Sequence, residues 1–132
     1  GTWCNGLQLS LADLGPEASL EYELVTLSSP AQFVRTNEIH RVERFLKNHT
    51  NVRIYGDCFS QTCAISGKTG AAVHFNVKAW DVAAARILVE EAGGKCLTKV
   101  VAEPERGGPY WRMVLGKPRV VDYLSKWFLE EI

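Results

Sequence analysis

The stretch from residue 80 to residue 94 constrains the fold of this chain more than any other. Strong helix formers dominate it, and neither Pro nor Gly interrupts it before Gly93 and Gly94, which can take the positive φ that ends a helix. Asp81 lies at its start, where a carboxylate accepts backbone N–H groups and meets the positive end of the helix dipole. The stretch therefore predicts one helix with Asp81 as its N-cap.

Apolar residues follow two lines along this helix, and Arg86 and Glu90 are left as its solvent-exposed edge. A helix with so wide an apolar surface is predicted to be largely buried, and its alanines favour close approach to a sheet or another helix. The first line consists of Val82, Ala85, Val89 and Ala92, and the second of Ala84, Ile87 and Leu88.

The rest of the chain alternates between strand and helix patterns. Asn5 and Gly6 predict the turn of a hairpin within residues 3–10, and residues 11–20 and 103–109 are predicted loops. This order predicts a single α/β domain over residues 1–132, with a mixed, partly parallel sheet flanked by helices. The predicted strands are 21–27, 52–55, 71–76, 95–101 and 111–115, and the other predicted helices are 37–48, 58–66 and 118–129. Residues 28–30 are predicted to be a break and a possible helix start.

Composition narrows the range of partners. The chain carries 15 basic and 15 acidic residues, so its charge gives no argument for nucleic acid or an anionic membrane. No apolar run is long enough to span a bilayer, and no secretory signal is visible. The four cysteines form no C-x-x-C pair, which favours reduced and mostly buried thiols. We expect a soluble cytoplasmic protein, in which His40 and His49 are surface residues and not metal ligands.

A strand, a glycine and a helix follow one another at Gly56 and Asp57. This arrangement directs backbone N–H groups to the carboxyl edge of a sheet, where anions are often held. Asp57 is either a simple N-cap of that helix or a residue that faces a ligand, and the sequence leaves both interpretations open.

The segment Ala-Trp-Asp-Val-Ala-Ala-Ala at residues 79–85, with Glu-Ala-Gly-Gly at residues 91–94, resembles the C-terminal signature of the inositol monophosphatase family. These proteins are Mg-dependent phosphomonoesterases, and they include bacterial histidinol phosphatases. The hairpin at Asn5 and Gly6 resembles the one that lies between the family's catalytic loop and its C-terminal half. The resemblance implies the fold of the C-terminal subdomain of an αβαβα sandwich, and it implies that Asp81 is a ligand of Mg²⁺.

The resemblance also implies two substrate contacts. The turn at Asp57 faces the substrate in the family, and the form Gly-Asp-Cys resembles the histidinol phosphatase branch, in which a carboxylate suits a substrate amino group. His74 stands where the family usually places an acidic residue that contacts the substrate. An imidazole does not copy a carboxylate, which only accepts hydrogen bonds, so this position departs from the family pattern.

The family's N-terminal catalytic half has no counterpart here, since the chain contains no Asp-Pro or Asp-Gly dipeptide of an Asp-Pro-x-Asp-Gly-Thr/Ser loop. Two-metal chemistry needs several convergent carboxylates, so Asp81 alone predicts weak or absent Mg²⁺ binding. One hypothesis is a stand-alone, non-catalytic domain that acts as a homo-oligomer or binds a protein partner. The alternative is half of a phosphomonoesterase for inositol phosphate or histidinol phosphate, which needs an N-terminal half.

Overall fold

A computed structural model describes residues 1–102 and 108–130 of the chain. The chain opens with an antiparallel hairpin of β1 (Thr2–Cys4) and β2 (Leu7–Leu9). Asn5 and Gly6 connect the strands with φ values of 52° and 80°, because a tight hairpin turn that matches the strand twist needs positive φ at both residues. The predicted hairpin is confirmed.

Five further strands form one mixed sheet in the order β4-β3-β5-β7-β6. The short strands β3 and β4 run parallel to each other and to β5, whereas β7 is antiparallel to both β5 and β6. The predicted mixed, partly parallel sheet is confirmed. The strands are β3 (Val25–Leu27), β4 (Val52–Ile54), β5 (Ala71–Val77), β6 (Lys95–Val101) and β7 (Tyr110–Gly116).

Five helices flank this sheet. Four correspond to predicted helices, and α1 begins at the possible helix start predicted at Pro30. The prediction of a strand over residues 21–27 is wrong in its first half, because Leu20–Tyr22 form a 3₁₀ helix and Leu20 packs against the core. Most of the predicted loop at 103–109 lies outside the described residues. The helices are α1 (Pro30–Arg35), α2 (Ile39–Leu46), α3 (Asp57–Ile65), α4 (Ala79–Glu91) and α5 (Pro118–Phe128).

The sheet has two differently built faces. On the first, which we call the closed face, α1, α2 and α5 enclose four fully buried phenylalanines, and the rings of Phe45 and Phe128 are 5.0 Å apart. On the second, the α3–α4 face, the core consists largely of small residues such as Ala64, Ala72 and Ala85. Small side chains let the two helices approach the sheet closely. The other two buried phenylalanines are Phe33 and Phe75.

Helix α4 is buried on one side only, so the prediction of a largely buried helix is wrong in part. Its first apolar line packs against the sheet as predicted. On its opposite side, however, Trp80, Ile87 and Leu88 are 75%, 60% and 43% exposed, because no described residue covers them. Arg86 is half-buried and donates a hydrogen bond to the Thr98 hydroxyl at 2.8 Å, so it is not part of a solvent-exposed edge.

Two further predictions need correction. His49 is buried on the closed face, because both of its ring nitrogens find partners there. Of the four cysteines, all free, Cys63 and Cys96 are buried, whereas Cys4 and Cys58 are exposed.

Within residues 1–102 and 108–130, no helix is both long and apolar enough to cross a bilayer. A location in the cytoplasm stays a prediction.

Candidate functional site

A cavity of about 360 Å³ opens where three parallel strands end. Ser28 and Ser29 follow β3, Gly56 and Asp57 follow β4, and Asn76 lies near the end of β5, and all five residues line the cavity. The carboxyl ends of parallel strands meet at one edge, which is where open α/β sheets bind their ligands. The three predicted site residues, Asp57, His74 and Asp81, all line this cavity.

Asp57 begins α3 with an exposed side chain and a φ of 48°. A positive φ is uncommon for a residue other than glycine, and such conformations concentrate at ligand sites. The N-cap of α3 is Gly56, and the described residues show no side-chain cap at this helix. The structure therefore does not support the interpretation of Asp57 as a simple N-cap.

Asp81 belongs to the first turn of α4, three residues after the N-cap residue Lys78. Its Oδ2 atom accepts a hydrogen bond from the backbone N–H of Lys78 at 2.9 Å. The predicted stabilisation of this helix start by Asp81 is thus confirmed, although Asp81 acts from inside the helix and is not its N-cap. The carboxylate is exposed at the cavity, and a carboxylate has lone pairs enough for both a helix cap and a ligand.

His74 points from β5 towards α3 and is only 3% exposed. Its Nε2 atom lies 3.2 Å from the hydroxyl oxygen of Ser60. Burial lowers the pKa of His74 to about 4, although the nearby carboxylates of Asp57 and Asp81 act in the opposite direction. At neutral pH the cavity wall therefore contains a neutral imidazole as well as these two acidic residues.

The end of β5 is irregular beside the cavity. The register of its pairing with β7 shifts between His74 and Val77, and Asn76 takes a φ of 60°. A bulge of this kind redirects side chains at the end of a strand. The Asn76 amide donates to Gln32 Oε1 at 2.8 Å and so ties β5 to α1 across the cavity mouth.

Sequence reasoning missed several residues of the cavity wall. The two serines after β3 gave a usable signal, because polar residues directly after a parallel strand are placed at the carboxyl edge. Cys58 gave a signal as well, since it belongs to the Gly-Asp-Cys turn. The remaining residues gave none, since α1, α3 and the bulge in β5 are brought together only by folding. The missed residues are Ser28, Ser29, Gln32, Cys58, Gln61 and Asn76.

The described residues do not form a complete metal site. Within residues 1–102 and 108–130 there is no group of three or more His, Cys, Asp or Glu residues that could hold a metal ion. Mg²⁺ binds about six oxygen atoms, of which proteins often supply one or two carboxylates. Asp81 is a carboxylate at the cavity and can supply one such oxygen.

The fold and the site define an α/β domain with acidic residues at the carboxyl edge of its parallel strands. The sequence profile described as the inositol monophosphatase family matches residues 1–121. The chain belongs to the inositol monophosphatase family, and the resemblance seen in the sequence is confirmed.

Solved structures of about twice the length share the fold. The extragenic suppressor protein SuhB of Bartonella henselae is 17% identical with a TM-score of 0.71, and the match covers 97% of this chain and 48% of that one. An inositol monophosphatase of Anabaena (Nostoc) sp. PCC 7120 is 20% identical with a TM-score of 0.68, with coverages of 93% and 48%. An inositol monophosphatase of Zymomonas mobilis is 17% identical with a TM-score of 0.71, and the match covers 93% of this chain and 47% of that one.

At these identities the similarity shows the fold alone. The chain spans about half the length of each of these structures. Among curated proteins, none matches the sequence significantly.

Proposed function

We propose that this chain is the substrate-binding half of a Mg-dependent phosphomonoesterase and does not catalyse hydrolysis by itself. The observation that carries the proposal is the gathering of Asp57, His74 and Asp81 around one cavity at the carboxyl edge of the sheet. These residues come from three separate elements, and a domain that served only as a scaffold would not need them to converge.

Each residue has a distinct task in this proposal. Asp81 offers one carboxylate oxygen to Mg²⁺, and Asp57 faces the organic part of the ester, where it suits an amino or hydroxyl group. His74 offers a neutral polar group on the same wall. When bound, Mg²⁺ would polarise the phosphate oxygens and lower the pKa of a water molecule.

The carboxylates missing from this chain are proposed to come from an N-terminal half that docks on α3 and α4. Trp80, Ile87 and Leu88 form an exposed apolar line on α4, and Phe59 of α3 is 63% exposed on the same side of the sheet. We call these four residues the outer α3–α4 surface. An apolar surface of this kind marks an interface, and the solved structures of the fold are twice as long as this chain.

The second candidate function is a stand-alone, non-catalytic module. The incomplete metal site favours it, because the described residues lack the ligands that catalysis needs. In this case the outer α3–α4 surface would be covered by a second copy of the chain, as a homo-oligomer. The two candidates differ in whether the cavity binds a metal ion and whether added carboxylates restore activity.

Metal binding at the cavity is tested with Mn²⁺ and inorganic phosphate, because paramagnetic Mn²⁺ broadens the NMR signals of nearby residues. We expect broadening around the cavity that is lost in Asp81→Asn and retained in Asp122→Asn. Asp122 is a matched control, since this exposed aspartate forms an ion pair with Lys95 at 2.6 Å, away from the cavity.

Activity is tested as phosphate release from inositol monophosphate and histidinol phosphate. We expect none from the chain alone, and release when it is co-expressed with an N-terminal half that carries the Asp-Pro-x-Asp-Gly-Thr loop. Asp81→Asn should abolish this release. Release by the chain alone would contradict the proposal, and an inert pair without Mn²⁺ broadening would leave the stand-alone module as the function.

A further inference from the structure

Ser60 connects α3 to the imidazole of His74. This serine is only 1% exposed, and its Oγ atom lies 2.9 Å from the backbone carbonyl oxygen of Asp57 and 3.2 Å from His74 Nε2. A hydroxyl has one proton, and a carbonyl oxygen can only accept a hydrogen bond. If the proton pointed at Nε2, two oxygen lone pairs would face each other at 2.9 Å. The Ser60 proton therefore goes to the Asp57 carbonyl.

This choice fixes the proton of the imidazole. Since the Ser60 hydroxyl donates to Asp57, it can only accept from His74, so Nε2 carries the ring proton. A neutral imidazole has one N–H donor and one acceptor nitrogen, which leaves Nδ1 as the acceptor. No hydrogen bond to Nδ1 is found among the described residues, and the ring forms part of the cavity wall. The depressed pKa of His74 agrees with a neutral ring.

We infer that Ser60 is a positioning residue that holds His74 in its Nε2–H form, so that Nδ1 accepts a hydrogen bond from a ligand O–H or N–H group in the cavity. The inference rests on the proposed function for the identity of the ligand, but not for the state of the ring. It adds a specificity element, because a ligand with a methylated oxygen at this point would leave Nδ1 unpaired.

His49 provides an internal reference. Its Nε2 atom lies 2.7 Å from the backbone carbonyl oxygen of Glu23, so it must carry the proton, and its Nδ1 atom lies 3.1 Å from the Tyr123 hydroxyl, which donates to it. Both nitrogens of His49 are thus satisfied within the fold. Of the two buried histidines, only His74 keeps an acceptor for a ligand.

The test is an NMR spectrum of the full chain with isotope-labelled histidine, in which two-bond proton–nitrogen correlations report the tautomer of each ring. His74→Gln identifies the signals of His74. We expect the Nε2–H form for both His74 and His49. In Ser60→Ala the signals of His74 should become those of a mixture of tautomers, while His49 stays unchanged.

An Nδ1–H form or a mixture at His74 in the unmodified chain would overturn the inference, and this spectrum is decisive even if Ser60→Ala fails to fold. A folded Ser60→Ala chain that retains the Nε2–H form would overturn the role of Ser60. Ser60→Thr, which keeps the hydroxyl, should restore the tautomer.

The hydrogen bond between His74 Nδ1 and a ligand is tested by adding inositol monophosphate, histidinol phosphate or inorganic phosphate. At least one of the two esters should shift the Nδ1 resonance, and inorganic phosphate should not. No shift with either ester at millimolar concentration would overturn the assignment of Nδ1 to a ligand. Because these spectra need neither turnover nor the N-terminal half, their failure is distinct from failure of the proposed function.

Discussion

The two faces of the sheet bury polar groups in different ways. On the closed face, Glu38 lies between two buried arginines, with its carboxylate oxygens 2.5 Å from Arg41 Nε and from an Arg112 guanidinium nitrogen. Arg41 also donates to the backbone carbonyls of Trp127 and Glu130, which ties the end of α5 to α2. On the α3–α4 face, His74 is buried without charge, and among the described residues its ring pairs with the Ser60 hydroxyl.

This difference indicates where function lies. The closed face uses its charged groups to hold its own helices together, although Val34, Ile39 and Leu46 of its helices are exposed. The α3–α4 face leaves carboxylates at a cavity and an apolar line in solvent. Charged groups that pair with one another inside the fold serve stability, whereas carboxylates at a cavity and apolar surface in solvent are available for a ligand and for another chain.

The largest effect is expected from breaking the ion cluster of the closed face. Glu38→Gln removes the carboxylate that Arg41 and Arg112 share, and the loss of one partner of a buried pair costs about 3–5 kcal/mol. Urea unfolding should show a decrease of this size in the free energy of unfolding.

The matched control is Glu43→Gln in α2, the helix whose N-cap residue is Glu38. Glu43 and Lys47 form an exposed pair at 3.2 Å, and an exposed i, i+4 pair contributes about 0.3–0.5 kcal/mol. Equal losses in the two variants would show that the buried cluster does not stabilise the closed face.

The next largest expected effect is a loss of stability in acid, caused by a buried group on the α3–α4 face. Burial lowers the pKa of His74 from 6.5 to about 4, so between these pH values the unfolded chain binds more protons than the folded chain. Stability should therefore fall as the pH drops from 6.5 to 4. At about 1.4 kcal/mol per pKa unit, the full loss is on the order of 3 kcal/mol.

Urea unfolding of the native chain and of His74→Gln at pH 7 and at pH 4.5 measures this contribution. It is the difference between the two proteins in how much the free energy of unfolding changes with pH. The carboxylates of Asp57 and Asp81 are present in both proteins, so their titration largely cancels. A pH dependence that is the same with and without His74 would show that the imidazole is not buried in its neutral form.

Local sequence signals predicted most of the elements of both faces. The turn at Asn5 and Gly6, the bounds of β6 and the helix that ends before Gly93 each depend on residues close together in the chain. The motif at residues 79–85 also led to Asp81, because its signature is contiguous. Such features are encoded within a few residues, so they can be recognised without knowledge of the tertiary structure.

What escaped prediction depends on contacts between distant segments. The burial of His49 requires Glu23 and Tyr123, which lie 26 and 74 residues away, and the state of His74 requires Ser60 on another element. The exposed side of α4 likewise follows from which side of that helix meets the sheet. Two apolar lines on one helix do not say which of them is covered.

A smaller effect on stability, with a large effect on association, is expected at the outer α3–α4 surface. Ile87→Glu places a charge on a side chain that is 60% exposed, and exposed substitutions usually change stability by about 0.5 kcal/mol or less. With no N-terminal half present to cover this surface, the native chain should self-associate with rising concentration in sedimentation experiments, and Ile87→Glu should remain monomeric.

The control for this surface is Val34→Glu, because Val34 is equally exposed at 61% but belongs to α1 on the closed face. This variant should associate like the native chain. A native chain that stays monomeric at every concentration would show that the outer α3–α4 surface is not an interface between copies, and would leave docking of an N-terminal half as its use.

The smallest effect is a difference between thiols. Cys58 lines the cavity and is exposed, whereas Cys96 is buried in the core of the α3–α4 face, where burial raises the pKa of its thiol despite the nearby Arg86 guanidinium. Because the thiolate is the reactive form, iodoacetamide should modify Cys4 and Cys58 in the folded chain and spare Cys63 and Cys96 until it unfolds. Mass spectrometry of partly modified protein measures the order in which the thiols react.

Inorganic phosphate with Mg²⁺ should slow modification of Cys58 but not of Cys4. If phosphate had the same effect on the modification rates of both thiols, the result would argue that the cavity does not hold phosphate.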